Sequence, residues 1–229
     1  MKDHCLYFQP ILDVVAMRPH GYEVLSRFTD MASKRLTGPD KNLGHDQWTS
    51  LDANVAGILM KSLEKGQLSK PGLFVNVSAS TLSSPSKFEE WAGMMEVFQQ
   101  MYSGRLTLEV HEDVETDDLD ACWPRLAGLG AAIAMDDACT SKATIERLIR
   151  FPWDVCKIDV HSLFSPVGDE VRNHADKNGT LLIVEQVETE LQSIGVKMVG
   201  INLQQGFYHG HPKPIAHQFH IHRGGVVAC

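Results

Sequence analysis

Short apolar runs recur along the chain, and each leads to a polar or charged side chain. The runs are Leu73 to Val75 ending at Asn76, Leu106 to Leu108 ending at Glu109, Ile133 to Met135 ending at Asp136 and Asp137, Val155 and Cys156 leading to Lys157, Leu181 to Val184 ending at Glu185, and Val199 to Leu203 preceding Gln205. Such runs, alternating with helical segments, are typical of parallel strands covered by helices.

Helical periodicity fills the intervals between these runs. Helices are predicted at residues 46–66, 117–129, 141–150 and 167–178, the first from its one-faced apolar stripe and the others largely from their end signals. No repeat and no Pro-, Gly- or Ser-rich linker divides the 229 residues. We therefore expect an α/β fold with a single domain, a (β/α)₈ TIM-like barrel. Its core spans about residues 6–215, and a tail follows at 216–229.

The amino-acid composition argues against some classes of function. Hydrophobic residues make up 43% of the chain, and 29 acidic against 21 basic residues give a net charge of -8. This balance argues against a DNA-binding protein, because binding a polyanion needs a basic face. No segment resembles a leader or a membrane span, and the five scattered cysteines predict free thiols. We expect a cytoplasmic protein that does not associate with membranes.

The polar residues at the ends of the runs suggest a chemistry. In a barrel of parallel strands these residues converge on one face, where such enzymes place their active sites. Glu23, Asn76, Glu109, Asp136, Asp137 and Glu185 would supply oxygen ligands there, beside the amine of Lys157. Oxygen ligands suit hard cations such as Mg²⁺ or Mn²⁺, and two such ions can clamp the oxygens of a phosphoryl displacement.

Eight short motifs, in order, carry a resemblance to a known family. They are Gln9-Pro10-Ile11, Gly21-Tyr22-Glu23-Val24-Leu25-Ser26-Arg27, Asn76-Val77-Ser78-Ala79, Leu108-Glu109-Val110-His111-Glu112, Asp136-Asp137, Lys157-Ile158-Asp159, Glu185-Gln186-Val187-Glu188-Thr189-Glu190 and Gln205-Gly206-Phe207. Together they resemble the EAL-domain family of cyclic di-GMP phosphodiesterases, from Tyr7 to about Pro214. The resemblance implies hydrolysis of cyclic di-GMP to linear pGpG with two Mg²⁺ or Mn²⁺ ions.

The resemblance also implies a role for each matching residue. The metal ligands would be Glu23, Asn76, Glu109, Asp136 and Asp137, and the groups acting on water would be Lys157 and Glu185. Gln9 and Arg27 would face the substrate, and Gln205 would hold the water or metal network beside it. Glu112 would anchor the loop after Asp137, while Glu188 and Asp159 would support the site. The family further implies a homodimer.

The sequence departs from the family pattern mainly in the loop after Asp137. The family usually has Asp-Asp-Phe-Gly-Thr-Gly there, whereas this chain continues with Ala138, Cys139, Thr140 and Ser141. Replacing a glycine costs about 1 kcal/mol or more where its φ is positive. His111 stands in place of a threonine and Gln186 in place of a glycine. The interval 160–184 is shorter than usual, which predicts a trimmed crossover helix.

These departures leave a second hypothesis open. The chain is either an active phosphodiesterase, as its intact ligand positions favour, or a regulator with little or no activity. Such a regulator would bind cyclic di-GMP or a regulatory protein partner, as the altered loop favours. Two weaker hypotheses are a transition-metal site at His209 and His211 or at His220 and His222, and a redox-sensing thiol at Cys139.

Overall fold

In the described parts of the chain, ten strands form one sheet, and eight of them close into a barrel. The computed structural model describes residues 2–30, 35–68, 70–139 and 141–214. The strands are β1 Lys2–Asp13, β2 Arg18–Asp30, β3 Leu36–Thr37, β4 Gly72–Val77, β5 Leu106–Val110, β6 Ala132–Met135, β7 Val155–Asp159, β8 Leu181–Glu185, β9 Leu203–Gln205 and β10 Lys213–Pro214. The closed order is β1-β9-β8-β7-β6-β5-β4-β2, with β2 pairing back to β1.

Seven α-helices lie in the described parts of the chain. They are α1 His45–Glu64, α2 Ala79–Leu82, α3 Pro85–Met101, α4 Thr116–Ala127, α5 Lys142–Arg150, α6 Pro166–Asn178 and α7 Glu190–Met198, and a 3-10 helix spans Ser162–Phe164. The end signals have local causes. Ser141 and Thr189 accept hydrogen bonds from the third residues of α5 and α7, and Gly179 ends α6 at a φ of 72°.

The predicted α/β barrel is confirmed, with one strand reversed. The six contacts that link β2 to β4 and then β4 through β9 in turn are all parallel. Strand β1 instead runs antiparallel to both β2 and β9, because a tight turn joins it directly to β2. The barrel is therefore closed by a hairpin rather than by an eighth parallel strand.

Two sequence predictions need correction. The run from Val199 to Leu203 was expected to be a strand, but β9 begins only at Leu203. Gly200, at a φ of 86°, donates its N–H to Lys197 and so belongs to the turn that ends α7. Helix α3 was not predicted, although Pro85 at its start and buried Phe88, Trp91, Ala92, Met95 and Phe98 show clear helical spacing.

The core has two parts that the sheet separates. The larger part lies between strands and helices and includes Leu59, Trp91 and Leu119. A small second cluster consists of Ile11, Phe74, Ala134, Val155, Ile183 and Leu203. Each of these six residues lies two positions from a polar residue on the same face of its strand. We call this cluster the apolar layer, and it fills the barrel beneath the site described next.

Candidate active site

Side-chain alternation brings one polar residue from each barrel strand into a single layer above the apolar layer. Gln9, Glu23, Asn76, Glu109, Lys157, Glu185 and Gln205 lie on their strands, and Asp136 follows β6 directly. The pairings Gln9–Glu23 and Asn76–Glu109 join neighbouring members of the set. We call these eight residues the polar layer. The sequence had singled out all eight of them.

Lys157 occupies the centre of the polar layer. Its Nζ lies 2.8 Å from Oε1 of Glu185, 3.1 Å from Oε1 of Glu109, 3.1 Å from Oδ1 of Asp136 and 3.7 Å from Oε2 of Glu23. The Lys157 side chain is only 1% exposed. One buried ammonium thus faces four carboxylates, which leaves an excess of negative charge.

The two amide side chains orient Glu23. Asn76 donates its Nδ2–H to Oε1 of Glu23 at 2.9 Å, and Gln205 donates its Nε2–H to Oε2 at 2.5 Å. Both carboxylate oxygens are therefore held by a donor, and the carbonyl oxygens of the amides remain available. Gln205 Oε1 is buried and accepts no hydrogen bond from any residue that the structure describes.

The excess of negative charge perturbs the titration of the carboxylates. Burial, and then the neighbouring carboxylates, raise the pKa of Glu109 well above its ordinary value despite the opposing effect of Lys157. Burial and Asp136 raise the pKa of Glu185 to about 8, again against the effect of Lys157. Burial alone would lower the pKa of Lys157, but Asp136 and the other carboxylates raise it well above its usual range. Lys157 therefore stays protonated.

Asp137 joins the site through an unusual backbone conformation. Its φ of 44° is left-handed, which turns the chain sharply after Asp136. Burial, followed by repulsion from Asp136 and Glu112, raises the pKa of Asp137 to about 6. Asp136 and Asp137 border the same cavity although they are adjacent in sequence.

The residues present suit a hard divalent cation. Both oxygens of Glu109 are fully buried, and neither makes a hydrogen bond with a described residue. Carboxylates crowded together in a buried site, with a single ammonium among them, are stabilised when a cation binds beside them. The donor atoms are all oxygen, which suits Mg²⁺ or Mn²⁺ better than zinc.

Two cavities open beside the polar layer. One, of about 220 Å³, is bordered by Gln9, Asp137, Lys157, Glu185 and Gln205. The other, of about 260 Å³, is bordered by Arg27, Trp48, Asn76 and His111, and Glu23 and Asp136 lie on both cavities. The two residues predicted to face the substrate, Gln9 and Arg27, thus border different cavities that share two carboxylates.

Several residues that border these cavities had been given no role from sequence. Phe207 is 53% exposed at the mouth of the first cavity, next to Gln186. Gly206 was seen only as part of a motif. A side chain at position 206 would overlap the backbone of Val187, so glycine is required there. Trp48 was interpreted only as part of an apolar helical face.

The three predicted supporting residues lie near the site in different settings. The carboxylate of Asp159 accepts hydrogen bonds from the N–H groups of His161 and Ser162, which positions the 3-10 helix. Glu188 is exposed and borders the first cavity. Oε2 of Glu112 lies 3.2 Å from Nδ1 of His111, while the backbone carbonyl of Glu112 accepts a hydrogen bond from Arg147.

The altered loop follows the polar layer without the expected strain. Ala138 is fully buried and donates its N–H to the carbonyl of Lys157 at 3.0 Å. Ser141 has a φ of −154°, and Cys139 is not among the described non-glycine residues with positive φ. The cost anticipated for losing two glycines therefore does not arise at these positions. Position 140 lies outside the described residues.

The remaining hypotheses from sequence find little support in the described residues. Burial raises the pKa of the Cys139 thiol to about 11, which keeps it protonated. His209 contacts Oε1 of Gln204 at 2.9 Å, and the ring of His211 packs against Phe207. His220, His222 and the tail at 216–229 lie outside the described residues. A further group of metal-ligating side chains, His111, Glu112 and Asp113, is partly exposed, and Nδ1 of His111 accepts the Asp113 N–H.

Comparisons with known proteins agree with this geometry. A family model described as the EAL domain matches residues 1–212. The chain is 27% identical to the protein named cyclic di-GMP phosphodiesterase NbdA from Pseudomonas aeruginosa, over 92% of this chain and 29% of that protein. It is 28% identical to the protein named probable cyclic di-GMP phosphodiesterase PdeN from Escherichia coli, over 91% of this chain and 43% of that protein. The chain thus spans less than half the length of these relatives.

Solved structures show the same fold. The Bacillus subtilis YkuI protein, with an EAL domain, in complex with substrate cyclic di-GMP and calcium, matches with a TM-score of 0.77 at 22% identity, over 93% of this chain and 56% of that chain. An EAL-domain protein from Listeria monocytogenes matches with a TM-score of 0.73 at 20% identity, over 93% of this chain and 89% of that chain. In the part of the chain that the structure describes, no helix combines the length and apolar character that crossing a membrane requires.

Proposed function

This chain belongs to the EAL-domain family, and on that premise we propose that it hydrolyses cyclic di-GMP to linear pGpG with bound divalent metal ions. The names of its relatives support this substrate. The observation that carries the proposal is the complete polar layer, in which one buried lysine faces four carboxylates. A phosphodiester is itself negatively charged, so it would bind beside these carboxylates only after cations had neutralised them.

The proposed metal ligands are Glu23, Asn76, Glu109, Asp136 and Asp137. All but Asp137 belong to the polar layer, and Asp137 borders the same cavity as Asp136. Two Mg²⁺ or Mn²⁺ ions held there would activate water and offset charge on the phosphate oxygens. The hydrogen bonds from Asn76 and Gln205 fix the orientation of Glu23, so this ligand is preorganised.

Lys157 and Glu185 are proposed to act on the attacking water. The carboxylates around Lys157 raise its pKa and favour the ammonium form, which can stabilise negative charge that develops on the water or phosphate oxygen. Glu185 lies 2.8 Å from this ammonium, and burial raises its pKa to about 8. In its ionised form, which bound cations would favour, the Glu185 carboxylate can accept a proton from the attacking water.

Substrate binding is assigned to residues that border both cavities beside the polar layer. Gln9 and Gln205 border the first cavity and Arg27 borders the second, so a cyclic dinucleotide lying across the polar layer would contact all three. Arg27 is anchored by donating from Nη1 to the carbonyl of Ser26 at 2.8 Å. Glu112, Asp159 and Glu188 are proposed to hold the surrounding loops. We further propose that the protein acts in the cytoplasm as a homodimer.

One observation favours the alternative of a regulator with little activity. Gln186, beside Glu185, has a left-handed φ of 56° where the family usually has glycine, and a side chain there is strained. Relief of that strain would shift the backbone next to Glu185, and the Gln186 side chain borders the same cavity. Such a regulator would bind cyclic di-GMP, or a protein partner, without converting it.

Replacing Asp136 with Asn separates the two functions. Turnover of cyclic di-GMP in Mg²⁺ or Mn²⁺ is measured by separating pGpG from substrate, and binding is measured by calorimetry. An enzyme should lose turnover in the variant, and chelation of the metal should stop the wild-type protein. A folded wild-type protein that binds cyclic di-GMP but forms no pGpG would instead establish the regulator.

A further inference from the structure

Basic side chains gather at the mouth of the barrel opposite the polar layer. A cavity of about 310 Å³ lies there, and we call it the basic pocket. It is bordered by Arg18, His20, Lys70 and Arg105, together with Asp13 and residues 71–72. Arg18 begins β2 and Arg105 immediately precedes β5, so the pocket lies at the amino ends of the strands. Gly72, at the start of β4, is four residues before Asn76, which is about 13 Å along a strand.

The charge of this pocket runs against that of the whole chain. The chain carries a net charge of -8, yet Arg18, Lys70 and Arg105 meet here with a single carboxylate, Asp13. Asp13 is already engaged, because its Oδ1 accepts the N–H groups of Val15 and Ala16. None of the ion pairs among the described residues includes one of the three basic side chains. The pocket therefore keeps an excess of positive charge.

Arg105 is held in place by groups that do not neutralise it. Its Nη2 lies 2.9 Å from Nε2 of His20 and also donates to the His20 carbonyl at 3.4 Å. Burial, and then the charge of Arg105, lower the pKa of His20, so the ring is neutral and accepts this hydrogen bond. The Nε–H and Nη1–H groups of Arg105 make no hydrogen bond with any residue that the structure describes. They remain as donors for a ligand.

Glycine at position 72 keeps this arrangement open. A Cβ atom there would lie 3.0 Å from the carbonyl oxygen of His20 and 3.8 Å from Nη2 of Arg105. A side chain at position 72 would therefore crowd the His20 carbonyl that accepts a hydrogen bond from Arg105, whereas its distance from Nη2 is an ordinary contact. Glycine at this position thus leaves the His20 carbonyl free to hold the exposed Arg105 side chain.

We propose that the basic pocket binds a small anion that carries a phosphate group. The Nε–H and Nη1–H groups of Arg105 can donate hydrogen bonds to phosphate oxygens, and Lys70 and Arg18 add point charges. The volume suits a phosphate, a diphosphate or the phosphate end of a mononucleotide, and is small for a whole cyclic dinucleotide. The site lies at the opposite mouth from the polar layer, and the proposal does not depend on the proposed hydrolysis.

The test is a calorimetric titration of the full chain with pyrophosphate at constant ionic strength. The protein is first freed of divalent metal by chelation and dialysis, so that no metal in the polar layer can bind the anion. Lys70→Gln is expected to weaken binding about tenfold, and Lys70→Gln with Arg105→Gln about a hundredfold. The matched control, Lys87→Gln with Lys142→Gln, loses the same charge at exposed positions elsewhere and should change binding less than about twofold.

The single Lys70→Gln variant protects the test against misfolding, since Arg105 also holds His20 whereas Lys70 makes none of the described hydrogen bonds. Thermal melting without ligand checks that each variant is folded. Absence of pyrophosphate binding by the wild-type protein would overturn the proposal. Equal weakening in the pocket variants and in the control would also overturn it, because attraction to the surface in general would then explain the binding.

Discussion

Two layers of side chains lie two residues apart on the same strands, and they differ in polarity and in their effect on stability. The apolar layer, from Ile11 to Leu203, is buried and free of charge. The polar layer above it places four carboxylates within 4.0 Å of a single buried lysine. Like charges crowded in a buried site oppose folding, so the polar layer is retained at the expense of stability.

The difference shows how one barrel can separate stability from function. The strands and the apolar layer fix the backbone, which lets the polar layer remain in an unfavourable arrangement until a ligand relieves it. Substitutions in the polar layer should therefore affect turnover more than folding. Those in the apolar layer should do the reverse.

The largest expected effect is on turnover in the Glu109→Gln variant. Glutamine keeps the shape of Glu109 but removes a buried charge and a proposed metal ligand, so turnover of cyclic di-GMP should fall about a thousandfold. The free energy of unfolding without metal should not decrease, because Lys157 still faces the other three carboxylates. Urea unfolding in a chelator measures this second quantity. A large loss of stability with turnover preserved would contradict the claim that the polar layer serves function rather than folding.

Phe74→Ala should give the opposite result in the layer below. Phe74 is 1% exposed, and truncating a buried phenylalanine costs about 3–5 kcal/mol in the free energy of unfolding. Denaturant unfolding checks this value. Phe207→Ala, at a 53% exposed position, is the control and should change stability by less than about 0.5 kcal/mol.

Gly21→Ala tests how tightly the apolar layer is packed. An added Cβ would lie 2.9 Å from both the Gly72 carbonyl oxygen and Cε2 of Phe74, so we expect a loss of about 1–3 kcal/mol. Gly93→Ala is the matched control. Gly93 lies within α3 with no atom near the added Cβ, and its replacement should stabilise the protein by about 0.5–1 kcal/mol. Equal effects at both positions would contradict the packing described for Phe74.

The smallest expected effect concerns backbone strain next to the site. Gln186→Gly should raise the free energy of unfolding by about 1 kcal/mol, because Gln186 has a left-handed φ of 56°. Cys139→Gly, where φ is not positive, should bring no gain. Chemical denaturation of both variants measures the difference. A gain at Cys139 equal to that at Gln186 would show that the altered loop is strained after all.

The sequence predicted the polar layer better than it predicted the elements that carry it. The polar ends of the apolar runs and the family motifs together identified all eight of its residues, Gln9 through the motifs alone. The antiparallel direction of β1 was not predicted, because the short turn between Asp13 and Arg18 was not recognised as the turn of a hairpin. The local pattern was also misleading at Val199 to Leu203. Ile201 is apolar and buried, as expected of a strand residue, but Gly200 lies in the turn that ends α7.

Some features that arise from distant parts of the chain could not be predicted from the sequence. The basic pocket joins Arg18, Lys70 and Arg105 across 87 residues of sequence. The carboxylates were predicted to converge beside Lys157, but their individual distances depend on side-chain directions set by four other segments. Neither spacing nor composition reports these distances before the barrel is closed.

The central claim is that the polar layer holds divalent ions that hydrolyse cyclic di-GMP. The most direct measurement adds Mn²⁺ stepwise to metal-free protein with cyclic di-GMP, follows free Mn²⁺ by electron paramagnetic resonance and quantifies pGpG in the same samples. We expect pGpG formation to rise in step with occupancy of two ions per chain, and both to be lost in Glu109→Gln. Ion binding without any pGpG, or pGpG formed before an ion is bound, would contradict the account.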